Sequence, residues 1–214
     1  MNKSLQSTPE GSIGILGLGL LSRNLILTIA RQGFPVICHD ADPLRSSELR
    51  ERAGGLPIRL CDAIDEFAKQ LSPPRAILML MPGGPHLEGL FHELGTHLAP
   101  GDFIIDGAST HHIFTPRRRK FFADHGIHYL ATGIAAPCHG NDPCYCALFP
   151  ELEKLCGRIA PIFDAVARTA TGEPCVTFVG EQVGKHLRRL RQREQEQGVP
   201  KNGESLGSVS KGAP

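Results

Sequence analysis

The sequence predicts a doubly wound α/β fold, a mostly parallel sheet with helices on both faces. Three observations lead there. Short apolar runs alternate with helical patterns along most of the 214 residues, the rhythm of successive βαβ units. The run Arg75 to Met81 (RAILMLM) is continuously hydrophobic, as suits a central parallel strand buried on both faces. The opening, Ser12 to Leu20 (SIGILGLGL), ends an apolar run in the glycine pattern Gly17-x-Gly19-x-x-Ser22. The apolar-periodic LILTIA follows at once, and the next apolar run, FPVICHD, closes on Asp40. Strand, glycine turn, helix, strand and acid in that order make a dinucleotide-binding βαβ unit, so the fold expected is Rossmann-like.

The remaining elements follow in order. Pro43 to Ala53 reads as a polar helix, Ile58 to Leu60 as a minor strand and Asp62 to Gln70 as a short helix. Pro82-Gly83-Gly84 breaks the central strand, and His86 to Leu98 carries Leu87, Leu90, Phe91, Leu94 and Leu98 on one helix face. Asp102 to Asp106 (DFIID) is the next buried strand. Thr115 with Pro116 opens a further helix, and His128 to Ala131 forms a strand. From Gly133 to Pro150 the pattern lapses into a loop rich in Pro, Gly and Cys; helical periodicity resumes at Glu151 to Val166, and Cys175 to Val179 is a final strand. The expected organisation is a flexible N-terminus (1–11), a Rossmann-like domain (12–180), a charged connecting helix (181–197) and a disordered tail (198–214).

Each residue of the opening motif has a physical task. Gly17 lets the chain leave the strand in a tight turn. Gly19 holds no side chain between a pyrophosphate and the helix N-terminal amides, where partial positive charge favours an anion. Ser22 takes the third motif position, which asks for a small residue so that helix and strand pack closely. Asp40 stands 21 residues beyond Gly19, where a carboxylate accepts hydrogen bonds from the adenosine ribose hydroxyls. The same charge repels a 2′-phosphate, so NAD is expected over NADP.

Composition excludes several function classes. Hydrophobic residues make up 41% and charged residues 21%, with a formal net charge of +1; that balance supplies no global attraction to nucleic acid or membrane. No apolar run approaches the length of a bilayer span. The polar N-terminus MNKSLQSTPEG has no apolar core of a secretory signal. Seven cysteines, an odd number scattered through an α/β pattern, fit reduced thiols of a cytoplasmic protein.

Four segments resemble the N-terminal coenzyme domain of the 6-phosphogluconate dehydrogenase family. GLGLLSRNLILTIARQGFPV is similar to its glycine turn and first helix, PPRAILMLMPGG to PRxIxLLVxxG, GDFIIDGAST to GDIIIDGGNS, and TGEPCVTFVGEQVGKH to TGEPCxxWVGxxGxGH. The resemblance runs over about residues 13–196, and the last segment is the most specific. It implies that Gly17, Leu18, Gly19, Leu20 and Leu21 form the pyrophosphate turn. It also implies that Met81 and Gly84 lie against the nicotinamide ribose. Ser109 stands where the family has an Asn that touches nicotinamide and substrate. Asp40-Ala41-Asp42 replaces the family's Asn-Arg-Thr, whose Arg grips the 2′-phosphate of NADP, a departure that again favours NAD.

The substrate side of the resemblance is degenerate. Ala135-Ala136-Pro137 replaces a Ser-Gly-Gly loop that holds the sugar acid, removing a hydroxyl and a backbone donor. The general-base Lys is matched by Arg189, which stays protonated and cannot shuttle a proton. The following His and Asn are matched by Gln192 and Arg193; Glu196 and His186 coincide with family residues. Lys185 shares the face of Arg189 but lies one turn, about 5 Å, away along the axis. No catalytic residue is therefore assigned. Family enzymes continue into a large all-helical domain that this chain is expected to lack, so a partner chain would have to supply that wall of the substrate cleft.

Other clusters were weighed. Cys138-His139, Cys144 and Cys146 bring soft ligands together but lack paired CxxC knuckles; no metal ligands are assigned, and a metal-binding or protein-interaction module through this loop stands as a lesser alternative. His111-His112 and the basic runs Arg117-Arg118-Arg119-Lys120 and Lys185 to Arg193 read as solvated surface, with no nucleic-acid partner. The leading expectation is a nicotinamide-dinucleotide-binding protein unable to catalyse the decarboxylating oxidation alone. The alternative is an NAD-dependent oxidoreductase on a hydroxy or sugar acid, completed by a partner chain.

Overall fold

The computed structural model describes residues 12–107, 115–135, 146–149, 159–166 and 176–178. The expected N-terminus (1–11), connecting helix (181–197) and tail (198–214) lie outside these, as do Ser109, His111-His112, Cys138-His139, Cys144 and the substrate-side positions from Lys185 to Glu196.

Nine strands and six helices are described: β1 (Ile13–Leu16), α1 (Leu20–Arg31), β2 (Val36–His39), α2 (Pro43–Ala53), β3 (Ile58–Leu60), α3 (Ile64–Gln70), β4 (Ala76–Met79), α4 (Pro85–Gly95), β5 (Phe103–Asp106), α5 (Thr115–Asp124), β6 (His128–Ala131), β7 (Gly133–Ala135), β8 (Cys146–Phe149), α6 (Ala160–Val166) and β9 (Val176–Phe178). The first six strands form one sheet in the order β3-β2-β1-β4-β5-β6, every neighbouring pair parallel.

Side chains alternate across this sheet with the two-residue period of a strand. Ile13, Ile15, Val36, Cys38, Ala76, Leu78, Phe103 and Ile105 face one side, where Leu25, Ile26 and Ile29 of α1, Leu49 of α2 and Ile162 and Phe163 of α6 cover them. Leu16, Ile37, Ile77, Met79 and Ile104 face the other, beneath Ile64 and Phe67 of α3, Leu87, Phe91 and Leu94 of α4 and Phe122 of α5. Both faces of β4 are thus buried, which is why RAILMLM shows no polar alternation. Truncating one of these large side chains to Ala costs about 2–5 kcal/mol.

This distribution creates a break in the winding of the sheet. The helix after β1 packs on one face and the helix after β4 on the other, although β1 and β4 are neighbours. Their connections part at the C-terminal ends and open a crevice there, the switch point of a doubly wound sheet.

One stretch departs from expectation. Gly133 to Pro150, read as loop, contains β7 and β8, which pair antiparallel with Gly133 opposite Leu148. β9, within the expected final strand Cys175 to Val179, joins β8 in parallel to complete a separate three-stranded sheet. Runs of three or four residues (GIA, CALF) carry too few side chains to show a period, and the pairing that stabilises them is non-local.

Candidate functional site

The glycine turn sits at the switch point. Gly17 adopts φ +90°, and a Cβ there would lie 2.5 Å from the Leu80 carbonyl oxygen. Glycine is thus required twice, for backbone conformation and for the close approach of β4's exit. Its N–H donates to the His39 carbonyl (3.0 Å), tying the turn to the end of β2. Gly19 differs: its backbone is extended, and an added Cβ would meet no protein atom within 4 Å. The protein itself does not demand glycine there; a ligand approaching the backbone would. Ser22 is buried, and its hydroxyl reaches the Leu80 carbonyl at 3.4 Å, so the third motif position joins α1 to β4 as its small size predicts.

Helix α1 begins at Leu20, with Gly19 as an N-cap that offers no side-chain acceptor. The first N–H groups of a helix have no intrahelical partner, so those of Leu20 and Leu21 face the space above Gly19 with the positive end of the helix dipole. Leu20 is 53% exposed, at the mouth of the turn. Leu18 plays another part: its side chain is buried in the core, and its N–H donates to Asp40 Oδ2 at 2.6 Å.

Asp40 is correspondingly engaged. Oδ2 also receives Arg45 Nη1 at 3.3 Å, and Oδ1 accepts the Asp42 N–H at 2.8 Å. A carboxylate has about four acceptor sites; that of Asp40, 6% exposed, braces the turn with three of them filled. Asp42 caps α2 by accepting the Leu44 N–H (3.0 Å), and its Oδ2 lies 3.3 Å from Arg45 Nε. The region beyond β2 therefore carries two carboxylates against one guanidinium. Sequence reading singled out Asp40 but passed over Arg45; its placement in the first turn after the Asp42-Pro43 cap was the available signal.

Met81 and Gly84 lie on the link from β4 to α4, Met81 partly buried against the core and Gly84 as the N-cap of α4. Further along, Asp106 ends β5. Its Oδ2 accepts Arg118 Nη1 (3.0 Å) and the Tyr129 hydroxyl, while Arg118 Nε and Nη2 reach Glu88 Oε1 at 3.0 and 2.6 Å. Arg118 is 3% exposed. The expectation that Arg117 to Lys120 is solvated surface is thus corrected for Arg118: it shares a helix face with the fully buried Phe122, one turn on. Burial opposes the charge of Arg118, but the Glu88 hydrogen bond and the Asp106 carboxylate outweigh it and push its pKa up. Burial first, then Asp106, pushes the Tyr129 hydroxyl far above its usual range.

Among the described residues no three His, Cys, Asp or Glu side chains are grouped to hold a metal ion. No helix among them is long and apolar enough to cross a membrane. The described cysteines Cys38 and Cys61 are buried free thiols.

Residues 12–180 match the family model for the NAD binding domain of 6-phosphogluconate dehydrogenase. The chain belongs to that family. It is 30% identical over 181 residues to the NADP(+)-dependent, decarboxylating 6-phosphogluconate dehydrogenase of Bacillus subtilis, covering 83% of this chain and 38% of the relative. It is 32% identical over 179 residues to the decarboxylating enzyme of Schizosaccharomyces pombe, covering 83% and 36%. The chain thus spans little more than a third of the length of these relatives. Among solved structures, 6-phosphogluconate dehydrogenase of Plasmodium falciparum superposes with a TM-score of 0.71 at 24% identity, over 81% of this chain and 38% of that one. An imine reductase from Myxococcus stipitatus, in complex with NADP+, follows at TM-score 0.65 and 17% identity, over 87% and 60%. These structural likenesses show the shared fold. The residues present fit a nicotinamide dinucleotide: an open glycine, a helix N-terminus and a carboxylate meet at one switch point.

Proposed function

We propose that this domain binds NAD in preference to NADP and does not by itself carry out the decarboxylating oxidation of its relatives. The observation that carries the preference is the Asp40, Asp42 and Arg45 arrangement. The guanidinium nearest the adenosine ribose is already paired with two carboxylates, so a 2′-phosphate meets a net negative charge. The spare Oδ1 lone pair of Asp40 instead suits a ribose hydroxyl. The amides of Gly19, Leu20 and Leu21 take the diphosphate, and Met81, Gly84 and Ser109 border the nicotinamide half. When bound, the dinucleotide supplies a hydride donor or acceptor; this chain's residues orient it and hold its charges.

The case against independent catalysis comes from the residues. Arginine at 189 cannot exchange a proton with a substrate hydroxyl, and Ala135-Ala136-Pro137 offers the sugar acid no hydroxyl. A second reading draws on the same replaced positions: a partner chain supplies the proton-transfer and substrate-holding groups that Arg189 and Ala135-Ala136-Pro137 do not. Titration with NADH, followed by nicotinamide fluorescence, tests binding; incubation with NAD and 6-phosphogluconate tests turnover. Binding without NADH production supports the first reading. NADH production that appears only with a second polypeptide supports the second, and failure to bind NADH removes both.

A further inference from the structure

The cluster around Arg118 lies at the same edge of the sheet as the glycine turn but across the crevice from it. Asp106 is the last residue of β5, and Glu88 stands in the first turn of α4, directly after the link that leaves β4. The guanidinium joins them, with its carbon 4.7 Å from the centre of the Phe91 ring. The two strand exits also touch: the Gly107 N–H donates to the Met79 carbonyl (3.0 Å), and a Cβ on Gly107 would meet Leu80 Cδ2 at 2.8 Å.

A doubly wound sheet binds a dinucleotide as two mononucleotide halves. Asp40 beyond β2 marks the adenosine half, which leaves the exits of β4 and β5 for the nicotinamide half. A buried ion cluster is a weak source of stability, because desolvation offsets most of the attraction; well-packed apolar residues would serve the core as well. What it supplies is fixed geometry, since the planar guanidinium fork sets both distance and direction between its acceptors.

We propose that Arg118 is a positioning residue for the nicotinamide half of the crevice, fixing the first turn of α4 against the end of β5 by bridging Glu88 and Asp106. This rests on reading the crevice as a dinucleotide site. It acts through the α4 first turn and the end of β5.

The test compares NADH with ADP, which carries the adenosine half and diphosphate alone, on wild type, Arg118→Lys and Glu88→Gln. Lysine keeps the charge beside Asp106 but loses the fork. Should Arg118→Lys fail to fold, Glu88→Gln, altering a partly exposed carboxylate, carries the test. The expected result is NADH binding weakened about fivefold or more, with ADP binding within about twofold of wild type. Equal weakening of both ligands, or of neither, overturns the positioning role and leaves the dinucleotide reading standing. Wild type that binds neither NADH nor ADP overturns the dinucleotide reading and this inference with it.

Discussion

The two halves of the crevice solve the same problem with opposite chemistry. At the adenosine end a carboxylate, Asp40, is held largely by backbone N–H groups of Leu18 and Asp42, and its cation, Arg45, is 44% exposed. At the nicotinamide end the carboxylate Asp106 is held by side chains, Arg118 and Tyr129, and everything but Glu88 is buried. The charged groups of the first are local, Asp40, Asp42 and Arg45 falling within six residues, although the Leu18 N–H comes from 22 residues away. The second joins residues up to 41 apart, from Glu88 to Tyr129. Half-exposed Arg45 beside a nearly buried Asp40 sets the charge that a ligand would meet, whereas the buried cluster between α4 and β5 holds a shape.

Breaking the shared frame gives the largest effect. Gly17→Ala should destabilise the protein by about 3 kcal/mol or more and abolish NADH binding, because a Cβ at φ +90° is strained and meets the Leu80 carbonyl. Chemical denaturation and a fluorescence titration would check both. Next comes Arg118→Met, expected to cost about 3–5 kcal/mol by leaving Asp106 buried without its cation. Lys120→Ala, two residues along the same basic run and paired with Asp124 at the surface, should stay within about 0.5 kcal/mol of wild type. If the two substitutions cost alike, the distinction between buried and solvated members of the run is wrong.

A pH titration sharpens the same contrast. Tyr129 has its folded pKa raised above the unfolded value of about 10, so the stability it contributes is intact below that pH and falls as pH rises beyond it. Tyr129→Phe should flatten this alkaline decline by about one proton's worth of slope, roughly 1.4 kcal/mol per pH unit. An unchanged slope would mean that another group governs the limb. The adenosine end is expected to give the smallest change in stability and the clearest one in selectivity. Asp42→Ser keeps an N-cap for α2 but releases Arg45 from one carboxylate, and should strengthen NADPH binding several-fold while barely moving the melting temperature.

This contrast also explains what the sequence disclosed. The first βαβ unit was legible because glycine turn, helix, strand and acid follow each other at short, regular spacing. The strands of the main sheet were legible too, most of them as runs of apolar residues bounded by breakers, with β3 (IRL) the weakest of them. Arg118 was hidden because charge in a run of four cations looks like solvent-facing charge; only its phase with Phe122 separates it from its neighbours. β7 and β8 were hidden because strands that short are defined by their partners. The double engagement of Asp40 had no sequence signal at all, since it depends on where the Leu18 N–H points.

Calorimetric titration of the wild-type chain with NADH and with NADPH under identical salt tests the central claim most directly. Charge at the ribose end predicts tighter binding of NADH by about tenfold, equivalent to about 1.4 kcal/mol. Equal affinities, or tighter binding of NADPH, would contradict it.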